Sequence, residues 1–191
     1  ISFCLIMIKN DKKIEIKRNI KDVNVQKPFH LYPMSIVVVI KNRTDHIYFE
    51  TDHSPNDQNP KDQKKYRLRL FYNNLNALFA LLKPRDKWEL IVVDFCSTDV
   101  DMSQFLSETF EKYNNPENFT YRLISMNDPF FNKGKGLNVG TAAAQYDLVF
   151  FLDADMILTD RAIIKKAYEI CDKRVYFPIC MNYENPEHSS C

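Results

Sequence analysis

Residues 35–40 read SIVVVI, a β-branched run with no alternation of apolar and polar side chains. A strand with one face in water alternates. A strand that does not is covered on both faces, as in parallel sheets packed between helices. The same signal returns at 88–95 (WELIVVDF), 121–126 (YRLISM), 148–152 (LVFFL) and 175–181 (VYFPICM). Between the first two runs, Leu68, Phe71, Leu75, Leu78, Phe79 and Leu82 fall at helical spacing, and Pro84 closes the segment. Further helices fit 102–113, with Phe105, Leu106, Thr109, Phe110 and Tyr113 along one side, then 135–145, then 161–171 with Thr159 or Asp160 as N-cap. Strand and helix alternating four times predict an α/β fold, an open, doubly wound, mostly parallel sheet.

A length of 191 residues suits one well-cored domain. Residues 34–191 carry the α/β pattern. Residues 1–33 read as two short strands, 2–8 and 13–17, around a polar Asn10-Asp11-Lys12 turn, and their attachment to the main core stays open. Residues 51–65 (TDHSPNDQNPKDQKK) hold no large apolar side chain and read as a solvated, mobile loop.

A net charge of +1, from 26 basic and 25 acidic side chains, gives no general attraction to nucleic acid or anionic membrane. Charge for binding an anion must therefore be local. Cys4, Cys96, Cys171, Cys180 and Cys191 show no CxxC spacing, so neither a zinc site nor a redox pair is expected, and most read as buried thiols. Their odd number favours a reducing compartment, hence the cytoplasm. The apolar run over 1–8 is too short to span a bilayer and lacks signal-peptide flanks. The first residue is Ile rather than Met, so the chain reads as cut from something longer, and an upstream anchor would instead place it in the Golgi lumen.

In open α/β sheets ligands bind beyond the carboxyl ends of the strands. That rule selects Lys41-Asn42-Arg43 after the first strand, Asp94 at the end of the second, and Asp153-Ala154-Asp155 after the fourth. A polar stretch, Asn132-Lys133-Gly134-Lys135-Gly136, opens the third helix. Two basic patches and three carboxylates on one edge suit a divalent metal bound to a phosphorylated ligand. Asp153 and Asp155 alternate across one residue, so both carboxylates can face one cation and offer the hard oxygens that Mn²⁺ or Mg²⁺ takes. Plainer roles stand beside these. The glycines of GKGLNVG suit tight helix–sheet packing, Asp94 suits a turn cap, and Lys41 and Arg43 suit ordinary solvated charge.

In these residues the chain resembles the GT-A glycosyltransferases, which carry a nucleotide-sugar-binding α/β domain with a DxD motif. It is similar to the family-2 type in Val93-Asp94 followed by Ser97-Thr98-Asp99, and in GKGLNVG followed by FLDAD. It is similar to the β-1,4-galactosyltransferase type in IKNR, in FNKGKGLNVG and in Asp153-Ala154-Asp155. The resemblance runs from about residue 35 to about residue 160, in order. It implies a UDP-sugar donor contacted by Ile40, Lys41, Arg43, Asp94, Phe131, Lys133, Asn138, Asp153 and Ala154. Within that set Lys41 and Arg43 would touch the nucleotide, Phe131 would stack on uracil, Lys133 would hold phosphate and Asp94 would hydrogen-bond uracil. Asp153 would lie near ribose or sugar, and Asp155 would be the principal metal ligand.

The implied reaction is an inverting transfer of the sugar to a hydroxyl on a glycan, a protein or another acceptor, with metal assistance. The acceptor loop and downstream acidic pair of both families are missing, so the chain reads as truncated after the donor-binding half. Only Glu184, Glu187 and His188 follow as candidates for the base. Two rivals share the features: a donor-binding module without catalysis, and a phosphohydrolase of the haloacid-dehalogenase type. The second needs Thr or Val where Ile157 stands, and expects its aspartates on the first strand rather than the fourth.

Overall fold

The computed structural model describes residues 4–8, 33–44, 46–50 and 64–170. Among these residues the elements are β1 (Cys4–Ile8), β2 (Pro33–Ile40), β3 (His46–Glu50), β4 (Lys64–Leu68), α1 (Leu70–Leu81), β5 (Lys87–Asp94), α2 (Met102–Lys112), β6 (Phe119–Ser125), α3 (Lys133–Ala143), β7 (Leu148–Leu152) and α4 (Ala162–Ile170). The strands expected over 13–17 and 175–181 lie outside the described residues.

The main sheet has the order β1-β7-β2-β5-β6. Strands β7, β2, β5 and β6 are parallel, and β1 adds an antiparallel edge against β7, with Cys4 opposite Leu152 and Ile8 opposite Leu148. The open, mostly parallel α/β sheet expected from the unbroken apolar runs is thus the fold observed.

Each central strand is apolar on both sides because each side meets a helix layer. Ile36, Val38, Ile40, Leu90, Val92 and Phe150 pack with Phe71, Leu75 and Leu78 of α1, Leu106 and Phe110 of α2, and Ile164 and Ala167 of α4. The alternate residues Val37, Val39, Ile91, Val93, Val149 and Phe151 face α3, against Leu137, Val139 and Ala143. Helix α3 comes unusually close to the sheet. A Cβ on Gly136 would lie 2.5 Å from Val39 Cγ1, and one on Gly140 would run into Val37. Packing of the helix on the sheet is therefore what these two glycines do.

Several boundaries differ from the sequence pattern. Helix α3 begins at Lys133 rather than residue 135, because Asn132 caps it: the Asn132 side chain accepts the Lys135 N–H at 2.9 Å. Leu68 closes β4 instead of opening α1. Strand β4 also takes Lys64 and Lys65 from the segment read as a loop, and pairs with β3 in a separate two-stranded sheet; residues 51–63 lie outside the described residues. Asp160 does serve at the start of α4, accepting the Ala162 N–H at 2.7 Å. Among the described cysteines, Cys96 is exposed rather than buried. It sits in the left-handed region at φ 53°, past the end of β5, with its thiol on the Met126 carbonyl. No helix among the described residues is long and apolar enough to cross a membrane.

Candidate functional site

Strand order decides where a site can form. The chain steps from β2 to β5 to β6, then returns through α3 to lay β7 on the other side of β2. A crevice opens beyond the carboxyl ends of the strands where such an order reverses. An open cavity of about 540 Å³ lies there, lined by Val39, Lys41, Asn42, Arg43, Phe131, Lys133, Asp153, Ala154 and Asp155. Six of the predicted site residues other than Ala154 thus meet in one place: Lys41, Arg43, Phe131, Lys133, Asp153 and Asp155.

Three predicted residues do not join them, for a geometric reason. Side chains of a strand alternate between its faces. The cavity sits on the α3 side, the side of Val39. Ile40 is 1% exposed and belongs to the opposite core. Asp94 continues the series of Leu90 and Val92 on that same opposite face. Its carboxylate accepts the Ser97 N–H at 3.2 and 3.3 Å, so in this structure it caps the following turn. Asn138 is exposed on α3, two residues from each of the sheet-facing Gly136 and Gly140, and therefore on the helix's outer side. Glu184, Glu187 and His188 lie outside the described residues.

The lining comes from three backbone segments, each held by its own polar contacts. At the end of β2, Asn42 adopts φ 53° and turns the chain. Its N–H donates to Ser97 Oγ at 3.0 Å, and its side-chain oxygen accepts the Thr98 N–H at 2.7 Å. Two residues on, the Thr44 N–H donates to Asp99 Oδ2 at 2.8 Å. The Ser97-Thr98-Asp99 segment therefore fixes the loop that carries Lys41 and Arg43. Sequence reasoning selected Asn42 with its neighbours but gave it no role of its own; an Asn just past a buried strand, able to take the left-handed region, was the available signal.

The second segment ends β7. The Met156 N–H donates to the Asp153 carbonyl at 3.0 Å, closing a turn that contains Ala154 and Asp155. Asn74, fully buried on α1, donates from Nδ2 to the carbonyls of Asp153 at 2.9 Å and Met156 at 2.6 Å. This one amide pins the acidic turn to the core from below. It was missed because a polar residue inside an apolar helical stripe carries no period of its own.

The third segment leads into α3. Lys41 Nζ donates to the Pro129 carbonyl. Lys135 pairs with Asp128 at 2.8 Å, and the Phe130 N–H donates to the same carboxylate at 3.0 Å. These two hydrogen bonds, Lys135 first, hold the Asp128 carboxyl below its ordinary range. The loop so fixed presents Phe131 half-exposed, its ring edge-on to Phe95 at 5.5 Å. Across the cavity Lys133 Nζ lies 2.6 Å from Asp153 Oδ1.

Among the described residues no group of three His, Cys, Asp or Glu side chains could enclose a metal ion. Asp153 and Asp155 nevertheless share one cavity with Lys41, Arg43 and Lys133. That donor set fits a hard divalent cation which takes two carboxylates and completes its shell with water and phosphate oxygens. It does not fit a cation caged by protein alone.

The glycosyl transferase family 2 model matches residues 63–188. The chain belongs to that family, which sets the phosphohydrolase alternative aside. No curated protein matches it. Among solved structures it is similar to S. aureus TarS 1-349, at 21% identity and TM-score 0.47, over 71% of this chain and 31% of that one. It is similar to S. aureus TarS at 23% identity and TM-score 0.46, over 71% and 19%. It is similar to TarS 1-349 in complex with UDP at 22% identity and TM-score 0.44, over 71% and 31%. The chain thus spans about a third of the length of TarS 1-349 and about a fifth of TarS.

Proposed function

We propose that this chain binds a UDP-sugar at the cavity between the ends of β2 and β7 and serves its transfer, with inversion, to an acceptor hydroxyl. The observation that carries this reading is that three cations, two carboxylates and one half-exposed aromatic ring line the same cavity. A diphosphate needs the cations, a bridging divalent ion needs the carboxylates, and a nucleobase needs a ring face.

Phe131 offers its ring to uracil, while Lys41, Arg43 and Lys133 surround the diphosphate. Asp155 and Asp153 would hold Mn²⁺ or Mg²⁺, which would supply Lewis-acid stabilisation of the charge on the leaving UDP. The three cations add to that stabilisation from fixed positions, without reorganisation as the sugar–phosphate bond breaks. Cavity walls anchored to β2, β7 and α3 orient the donor so that the acceptor oxygen meets the anomeric carbon from the side opposite UDP. The hydroxyl proton passes to a carboxylate base.

The test is to supply the chain with a set of UDP-sugars and acceptor glycans, with Mn²⁺ or with EDTA, and to measure UDP release, sugar transfer and phosphomonoester cleavage. Metal-dependent consumption of a UDP-sugar supports the reading. UDP binding with no consumption marks a donor-binding module, and cleavage of phosphomonoesters overturns the assignment.

A further inference from the structure

A lysine side chain stands against the acidic turn. Lys133 Nζ stands 2.6 Å from Asp153 Oδ1, with 37% of the lysine side chain and 19% of the aspartate side chain exposed. That carboxylate is also one of the two from which a divalent ion would draw its protein ligands. An ammonium and a metal ion cannot both sit against one oxygen on the same side. We propose that Lys133 and the divalent cation are alternative partners of Asp153, and that the donor's diphosphate switches between them by drawing the Lys133 ammonium onto phosphate.

The surrounding structure makes this exchange a local one. Lys133 is the first residue of α3, and its neighbour Asn132 holds the helix start by accepting the Lys135 N–H. The backbone is thus fixed, while the flexible four-carbon stem lets the ammonium reach either the carboxylate or a phosphate. Asp153 is fixed in turn, because Asn74 and Met156 both bond its carbonyl oxygen. Helix N-termini favour negative charge, so a diphosphate near Lys133 gains from the helix as well. The other lysine of the cavity, Lys41, is tied instead to the Pro129 carbonyl, a neutral acceptor.

Two consequences follow from linkage. A divalent ion alone must displace Lys133 and so binds weakly. Once a diphosphate takes the lysine, the same oxygen is released and metal affinity rises; by reciprocity the metal raises diphosphate affinity by the same factor. Lys133 therefore adds to the coupling between metal and nucleotide over and above any direct metal–phosphate bond.

This rests on the donor-site reading above, and the experiment separates the two. Mn²⁺ binding is measured by electron paramagnetic resonance for the wild type, Lys133→Gln and Lys133→Arg, each with and without UDP, with thermal melts as a check on folding. Lys133→Gln should bind Mn²⁺ alone about fivefold more tightly than the wild type, the upper end of what a part-exposed ion pair contributes. Its UDP affinity in Mn²⁺ should fall about tenfold or more, a charge-assisted phosphate contact being lost. Lys133→Arg should keep weak metal binding. Equal or weaker Mn²⁺ binding by a folded Lys133→Gln overturns the exchange, even where the wild type binds UDP and Mn²⁺ together. Absence of Mn²⁺-dependent UDP binding by the wild type instead overturns the donor site itself.

Discussion

Replacing Gly136 with Ala drives a methyl group into the side of β2. The new Cβ would lie 2.5 Å from Val39 Cγ1, 2.9 Å from Val39 Cγ2 and 3.0 Å from Phe95 Cε2. Ordinary carbon contact is about 3.5–4.0 Å, so α3 and Val39 must separate by roughly 1 Å. Overpacking of this kind costs about 1–3 kcal/mol, and Ala in place of Gly inside a helix returns about 1 kcal/mol. The expected net loss is about 1 kcal/mol, or about 2–4 °C in Tm for a chain of this size. The site should suffer more than the fold. Val39 lines the cavity and α3 carries Lys133, so the same displacement separates two of its walls. UDP affinity in Mn²⁺ should fall about tenfold, or about 1.4 kcal/mol. A double-mutant cycle with Val39→Ala isolates the cause. Shortening Val39 removes both clashing methyls, so the pair should show a favourable coupling of about 1 kcal/mol and should regain part of the UDP affinity. Calorimetric titration and thermal melts of the four proteins measure both quantities. Strict additivity, or unchanged UDP affinity in Gly136→Ala, would refute the claim that this close approach sets the geometry of the site.

Asn74→Leu keeps the branching at Cγ and removes both hydrogen bonds to the Asp153 and Met156 carbonyls. It should cost about 1–3 kcal/mol in urea unfolding and weaken Mn²⁺-dependent UDP binding, because the acidic turn loses its support. Arg43→Ala should weaken UDP by about 1.5–3 kcal/mol and uridine hardly at all, since a charge-assisted phosphate contact is lost and the base is untouched. Equal losses for UDP and uridine in paired titrations would show that Arg43 does not meet phosphate.

Much of this architecture is legible in the chain because of how parallel sheets bury their strands. LVFFL has no polar member, and β7 covers those five residues. The same uniformity hides which face each side chain takes. An alternating strand would have shown that Ile40 and Asp94 point away from Val39 and Lys41; an all-apolar one does not. Convergence on the strand-end edge was therefore readable, while the split of that edge into two faces was not. Glycine chemistry concealed the start of α3. Gly134 and Gly136 are poor helix formers, yet Asn132 caps the helix and the sheet requires a residue without Cβ at 136. Strands β3 and β4 went unread because their HIYFE and KKYRL segments are short and flank a long polar stretch. Asn74 shows the limit of pattern reasoning, since its partners are main-chain carbonyls at the other end of the chain's order, reached only through the fold.

The central claim is a metal-dependent donor site at the acidic turn, and UDP titration of the wild type against Asp155→Ala, each in Mn²⁺ and in EDTA, tests it most directly. Asp155 is exposed on a turn past β7, so its loss should leave the circular dichroism spectrum and melt unchanged. The account predicts that the wild type binds UDP far more tightly in Mn²⁺ than in EDTA, and that Asp155→Ala binds UDP weakly and equally in both. A folded Asp155→Ala protein that retains the full gain in UDP affinity with Mn²⁺ would contradict it.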